Sequence, residues 1–328
     1  MFTRSYFMVY GAALCMLLLY SCQATSPVKV LKLAHGLDVT HPVHKGMVYM
    51  AEELGRISEG QMRVDVYPSG QLGSERQLLE LLQIGSLDIT KVSASALENF
   101  VPNMKVFGLP YIFRDQDHAW KIFNGEIGKE LLLQGEEYWL RGLCYYDAGS
   151  RSFYSKERPI DTPEDLRGLK IRVMNSQTAI QMVKTMGGAP TPISWGELYT
   201  ALQQGVVDGA ENNPPSFYTS HHYEVCKFYS IDEHTSVPDV LLIGTISWKS
   251  LSDQQRDWVT QAVDASVPEQ RRFWKEAVEE ALREVQKSGV KVSYPDKEPF
   301  AESVRAVFES YRDQPEIYDL IQRIQAVP

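Results

Sequence analysis

Two arginines hold positions from which they could bind an anion. Arg172 lies in the short apolar run Leu169-Lys-Ile-Arg-Val173, which reads as a strand. Arg151 lies in Gly149-Ser-Arg-Ser152, just past a second run ending at Tyr146. A guanidinium is a planar fork that meets a carboxylate with two parallel hydrogen bonds, and a lysine ammonium cannot do this. Ligands of open α/β sheets sit at the carboxyl ends of strands, so Arg172 has the position of an anion clamp as well as the chemistry. An ordinary surface ion pair is the competing reading. Glu211, Asn212 and Asn213 follow Val206-Val-Asp-Gly209, which reads as another strand. An amide donates and accepts, which suits sugar hydroxyls or a carboxylate edge. Asn213 before Pro214-Pro215 also fits a plain turn. Trp195 offers a flat face for the apolar side of a sugar ring, or it belongs to the core. In the first half of the chain His41, Glu75 and Ser93 are weaker candidates. His41 also reads as a helix cap and Glu75 as a favourable charge at a helix N-terminus. Asp232-Glu233-His234, with Asp239 nearby, could bind hydroxyls, and we read the run as a polar hinge loop.

The elements that position these residues follow a regular order. Val28–Leu33 reads as a strand, His41–Ile57 as a helix with Pro42 in its first turn, and Met62–Tyr67 as a strand stopped by Pro68-Ser69-Gly70. Ser74 heads a helix that Gly85 closes, and Leu87–Thr90 is the next strand. This β-α-β-α-β order predicts a parallel sheet with covering helices. Strands at 141–146 and 169–173, helices at 176–186 and 195–202, and the strand 206–209 form a second such set. The longest helix signal begins with the Ser252/Gln255 capping-box pattern and stops at Gly289, with a kink expected at Pro268. At roughly 35 residues it would be about 50 Å long, enough to run across both sets. The fold class expected is therefore α/β, in two lobes braced by one long helix.

Charge and composition narrow the function. The 328 residues hold 33 Lys and Arg against 42 Asp and Glu, a net charge of -9. Nucleic acid as the main partner would need a basic face, so none is expected. Four cysteines exclude a disulfide framework, and Cys144 and Cys226 sit in apolar settings that suit buried free thiols. None of the seven histidines has a strong metal spacing. No GxSxG, P-loop, GxGxxG, HExxH or EF-hand pattern is present, and no metal or cofactor is expected. These absences shift weight from catalysis towards binding.

The N-terminus reads as a targeting segment. Tyr6–Tyr20 is nearly all apolar and too short for a comfortable membrane span, but suits a secretory signal. It ends in Leu19-Tyr-Ser-Cys22, which resembles a bacterial lipobox. A signal over 1–21 would leave Cys22 to carry lipid, and two acyl chains on one cysteine hold a protein stably at a membrane surface. An uncleaved anchor, or cleavage elsewhere without lipid, are the alternatives.

Asp161-Thr-Pro-Glu-Asp-Leu-Arg-Gly-Leu-Lys-Ile-Arg-Val173 resembles a segment of the solute-binding proteins of tripartite ATP-independent periplasmic (TRAP) transporters, the DctP family. Further similar segments keep the family's order: Gln71–Arg76, Gly85–Ile89, Phe107–Tyr111, Pro192–Tyr199 and Ala201–Pro214. The resemblance implies two α/β lobes around a cleft, with residues 22–148 plus about 237–277 in the first lobe and 149–236 plus about 278–328 in the second. It places Arg172 on the family's carboxylate-binding arginine and Arg151 on a second arginine that often faces the ligand, unless Arg151 forms a salt bridge between lobes. Asn212 falls on the site asparagine and Trp195 on an often aromatic position. Ser93 departs from the sialic-acid branch, which resembles a Glu there. The function expected is capture of a small organic acid by hinge closure, followed by docking on a TRAP membrane permease, by a periplasmic lipoprotein. A hexuronate such as glucuronate or galacturonate is the favoured ligand, because the run Glu-Asn-Asn-Pro-Pro and the later Asp-Glu-His look like the uronate branch. A C4-dicarboxylate, or an enzyme such as a lyase on the same scaffold, are the alternatives.

Overall fold

The computed structural model describes residues 27–328, so Cys22 and the signal segment lie outside the described residues. The chain folds into two sheets. The first holds β1 (Lys29–Ala34), β2 (Met62–Tyr67), β3 (Ile89–Ser93), β4 (Leu140–Tyr146) and β10 (Asp239–Gly244), in the order β2-β1-β3-β10-β4. The second holds β5 (Arg151–Ser155), β6 (Lys170–Val173), β7 (Ala189–Pro192), β8 (Gly209–Asn212), β9 (Phe228–Thr235) and β11 (Lys291–Ser293), in the order β11-β9-β5-β8-β6-β7. β1 pairs in parallel with β2 and β3, and β6 in parallel with β7 and β8. These are the βαβ units legible in the sequence. The sheets are nevertheless mixed. β10 runs antiparallel between β3 and β4, and β5 runs antiparallel between β8 and β9. Each antiparallel strand follows a chain crossing, at 147–150 or 236–238, which delivers it to its sheet from the opposite lobe.

The long helix spans Asp253–Lys287, 35 residues. Ser252 Oγ accepts the Gln255 N–H at 3.2 Å and Gln255 Oε1 accepts the Ser252 N–H at 3.0 Å, so both arms of the capping box form. The helix continues through Pro268. Val259, Ala262, Val263 and Trp274 pack into the first-lobe core and Val285 into the second, so one rigid element spans both lobes. Gln270, wholly buried, grips the first crossing: its amide accepts from Asp147 N and donates to Asp147 O, both at 2.8 Å.

Three sequence expectations need correction. Asp232-Glu233-His234 is not a loop but part of β9. The strand read at 206–209 begins only at Gly209, because Val206 sits half-exposed in the turn before it. A Cβ at Gly209 would stand 2.3 Å from Tyr154 O, so pairing with β5 requires glycine there. The C-terminal helix Pro315–Ala326 packs on the first lobe rather than the second. His118 Nε2 donates to Ile324 O at 3.1 Å, and Arg323 pairs with Glu130 at 2.7 Å. Cys144 and Cys226 are buried free thiols. No helix among the described residues is long and apolar enough to cross a membrane.

Candidate functional site

Arg172 sits near the carboxyl end of β6 with 2% of its surface exposed. Its Nε donates to Ile193 O at 2.8 Å, and neither terminal nitrogen makes a hydrogen bond among the described residues. Nη1 is buried and meets no acceptor, and no carboxylate pairs with this guanidinium among the described residues. Burial pushes its pKa down, though an arginine stays charged at any working pH. A buried, unpaired cation is costly, and proteins keep one where a ligand supplies the missing charge.

Arg151, at the start of β5, differs. Its Nε and Nη2 hold the Glu211 carboxylate bidentately, with Nη2 to Oε1 at 2.9 Å. Nη2 also donates to Glu211 O at 2.7 Å and Nη1 to Asn212 Oδ1 at 2.9 Å. Glu211 and Asn212 lie on β8, the strand paired with β5. The ion pair therefore stays within one sheet and does not bridge the lobes. Behind it, His234 Nδ1 bonds Asp232 Oδ2 at 2.8 Å, and His234 Nε2 stands 3.5 Å from Glu211 Oε2. Burial alone would raise the Glu211 pKa, but Arg151 and His234 outweigh it and hold it at about 2. Burial alone would lower that of His234, but Asp232 and Glu211 lift it to about 9. Asp232, His234, Glu211 and Arg151 thus form a chain of alternating charges that sums to zero. His234 lies wholly buried behind Glu211.

Asn212 ends β8. Its Oδ1 accepts from Arg151 and from the Asn213 N–H at 2.9 Å, and its backbone oxygen accepts the Tyr229 hydroxyl at 2.8 Å. These contacts fix the side chain, and its Nδ2 donor has no partner among the described residues. Asn213 is the turn residue: its Oδ1 caps the helix Pro214–Thr219 through the Ser216 N–H at 2.8 Å.

The first-lobe residues are tied up in structure. Glu75 accepts the Ser93 N–H at 3.0 Å and pairs with buried Lys91 at 3.4 Å, while Lys91 also holds Asp239 at 3.1 Å. Ser93 Oγ caps the short helix Ala94–Leu97 through the Ser95 N–H at 3.3 Å. His41 Nδ1 caps the helix Pro42–Ile57, accepting the Val43 N–H at 3.2 Å. Burial, then nearby Lys91, keeps His41 far below its usual pKa, so its proton sits on Nε2. From there it donates to Ser216 Oγ of the second lobe at 3.1 Å. Across the same gap a Cβ on Gly36 would lie 3.9 Å from Trp195 Cδ1. Trp195, half-buried, also lies beside Arg172, whose guanidinium stands 5.9 Å from the indole centroid. Arg172 and Trp195 are thus brought together, with Asn212 at the end of the adjacent strand β8. His234 sits apart, behind Glu211.

Two residues that sequence reasoning passed over join this group. Tyr154, buried on β5, meets His222 Nδ1 at 2.8 Å. His222 in turn packs edge-on against Trp195, centroids 5.2 Å apart. His222 carries no motif or spacing that would mark it in the sequence.

Two α/β lobes joined by paired crossings, with an unpaired guanidinium held at a strand end, define a bilobal binding protein for a small anion. The chain belongs to the DctP family, bacterial extracellular solute-binding proteins of family 7, whose model matches residues 33–314. It is similar to a Bradyrhizobium TRAP periplasmic solute-binding protein solved with α/β-D-galacturonate, 37% identical with a TM-score of 0.89, covering 91% of this chain and 100% of that one. It is also similar to a Roseobacter denitrificans TRAP protein solved with β-D-glucuronate, 34% identical with a TM-score of 0.89, covering 92% and 100%. A solute-binding protein of Chromohalobacter salexigens is 35% identical over 288 residues, 87% of this chain and 86% of that one.

Proposed function

We propose that this solute-binding protein captures a hexuronate, glucuronate or galacturonate, between its lobes and delivers it to a TRAP membrane permease. The observation that carries this reading is the contrast between the two arginines. Arg151 is neutralised by Glu211, whereas Arg172 is buried with Nη1 unpaired. Arg172 is therefore the guanidinium that no carboxylate contacts among the described residues, and it matches the single carboxylate of a sugar acid. A C4-dicarboxylate would bring a second charge with no free partner, and an unpaired charge removed from water is strongly unfavourable. Trp195 supplies a face for a pyranose ring and Asn212 Nδ2 a donor for a hydroxyl. Glu75 spends its Oε1 on Lys91 and Ser93, and its Oε2, which has no hydrogen bond among the described residues, is available to accept from a further hydroxyl. Contacts from both lobes then stabilise the closed state by differential affinity. The galacturonate and glucuronate bound to the related TRAP proteins support this choice. Binding and release need no covalent step. The lipobox-like Leu19–Cys22 supports a mature protein tethered in the periplasm by lipid on Cys22.

Thermal shift against hexuronates, aldonates, sialic acid, succinate and malate tests the reading. The expected result is strong stabilisation by a hexuronate. Stabilisation by succinate or malate, with none from any uronate, would overturn the ligand while leaving solute binding intact.

A further inference from the structure

Trp195 lies in a single 3-10 turn, Trp195–Glu197, outside any long element. Its indole N–H makes no hydrogen bond among the described residues, so packing alone sets the plane of the ring. One neighbour is the Arg172 guanidinium at 5.9 Å and another is the His222 ring, 5.2 Å away and inclined at 61°. His222 is itself rigid. It is 1% exposed, and a second ring, Tyr199, stacks on it at 6.5 Å and 27°. The Tyr154 hydroxyl bonds His222 Nδ1 at 2.8 Å and has no other partner among the described residues, so the pair anchors the imidazole. Burial, and then the charge of Arg172, hold the His222 pKa at about 3, so no second cation arises beside the clamp at physiological pH.

We propose that His222 is a positioning residue: anchored by Tyr154, it fixes the Trp195 indole beside Arg172 and so gives the cleft its preference for ring-closed over open-chain sugar acids. The inference rests on the reading that Arg172 and Trp195 hold the ligand. A pyranose presents a flat face of C–H groups that an oriented indole covers, and an open-chain aldonate presents no such face. Both bring the same carboxylate to Arg172. The selectivity between them therefore reports the indole and not the clamp.

The test is isothermal titration of D-glucuronate and D-gluconate against the wild type, His222→Ala and His222→Phe, with thermal unfolding of each apo protein. An edge-to-face aromatic pair corresponds to about a twofold to tenfold effect. His222→Ala should weaken glucuronate by that factor while gluconate changes by less than about twofold. His222→Phe keeps a flat edge against the indole and should recover most of the ratio, although the Tyr154 hydroxyl loses its acceptor and the melting temperature falls. Equal losses for both acids, or no loss for either, would overturn the proposal. If the wild type binds no uronate, the ligand reading fails, and positioning is decided in the apo protein. There the Trp195 emission, taken as the difference from a Trp195→Phe counterpart, should shift to the red in His222→Ala and not in His222→Phe. An unchanged emission would refute the positioning role on its own.

Discussion

Arg172→Lys separates the two things an arginine brings, charge and geometry. The substitution keeps one positive charge near the end of β6. It removes the Nε–H that bonds Ile193 O at 2.8 Å, the contact that aims the fork. It also replaces two parallel donors with a single ammonium. Losing one charge-assisted hydrogen bond costs about 1.5–3 kcal/mol. At 1.4 kcal/mol per tenfold, affinity should fall roughly 10-fold to 150-fold. Isothermal titration with the best hexuronate measures this directly, and apo melting temperatures guard against misfolding. The fold itself should not suffer, because Arg172 has no carboxylate partner among the described residues to lose. Arg172→Met should even raise the apo melting temperature by a few degrees while abolishing binding, since it removes a buried, unpaired charge. Affinity within about twofold of wild type for Arg172→Lys would refute the clamp. A large drop in its apo melting temperature would show that the guanidinium serves the fold.

Three other outcomes follow from the same geometry. Arg151→Met should destabilise the apo protein by about 3–5 kcal/mol, because it strips the buried Asp232–His234–Glu211 chain of the cation that balances its charge, and chemical denaturation would reveal it. His234 has its pKa raised from 6.5 to about 9, so its stabilising contribution is complete below pH 6.5 and is lost as pH rises through 9. Wild-type denaturation at pH 6 and pH 10 should therefore differ by more than that of His234→Gln, and parallel curves would count against a charged His234. If Cys22 carries lipid, the wild type should take up a labelled fatty acid in vivo and Cys22→Ser should not, appearing instead in the soluble fraction.

Much of the scaffold was legible because it is written in local signals. The Ser252/Gln255 box and Gly289 just beyond its end mark a helix that the structure places at Asp253–Lys287, running on through Pro268. The parallel pairings follow from strands separated by amphipathic helices. What local pattern could not carry is β9. Asp232 and His234 are wholly buried, and a charged run in a strand is tolerated only because Glu211 and Arg151 complete the charge balance from two other strands. Those partners lie 21 to 83 positions away, which no window of sequence joins. The same holds for the start of β8, where the close approach of Tyr154 O and not the valine pair decides which residues are strand.

The arginines show where this limit touches function. Each lies near the end of a short strand. From sequence they form one class, two cations around one anion. Pairing across β5 and β8 sets them apart: Glu211 takes Arg151, and no carboxylate among the described residues takes Arg172. A cleft with two free guanidiniums would favour a dianion, and a cleft with one favours a monoanion that meets its remaining needs with hydroxyls and a ring face. In the proposed reading the charge preference is set by Glu211, a residue that need not touch the ligand. Specificity here is a difference between what the fold already satisfies and what it leaves open. The open groups, one guanidinium fork, one amide donor and one indole face, describe a sugar acid more closely than any single residue does.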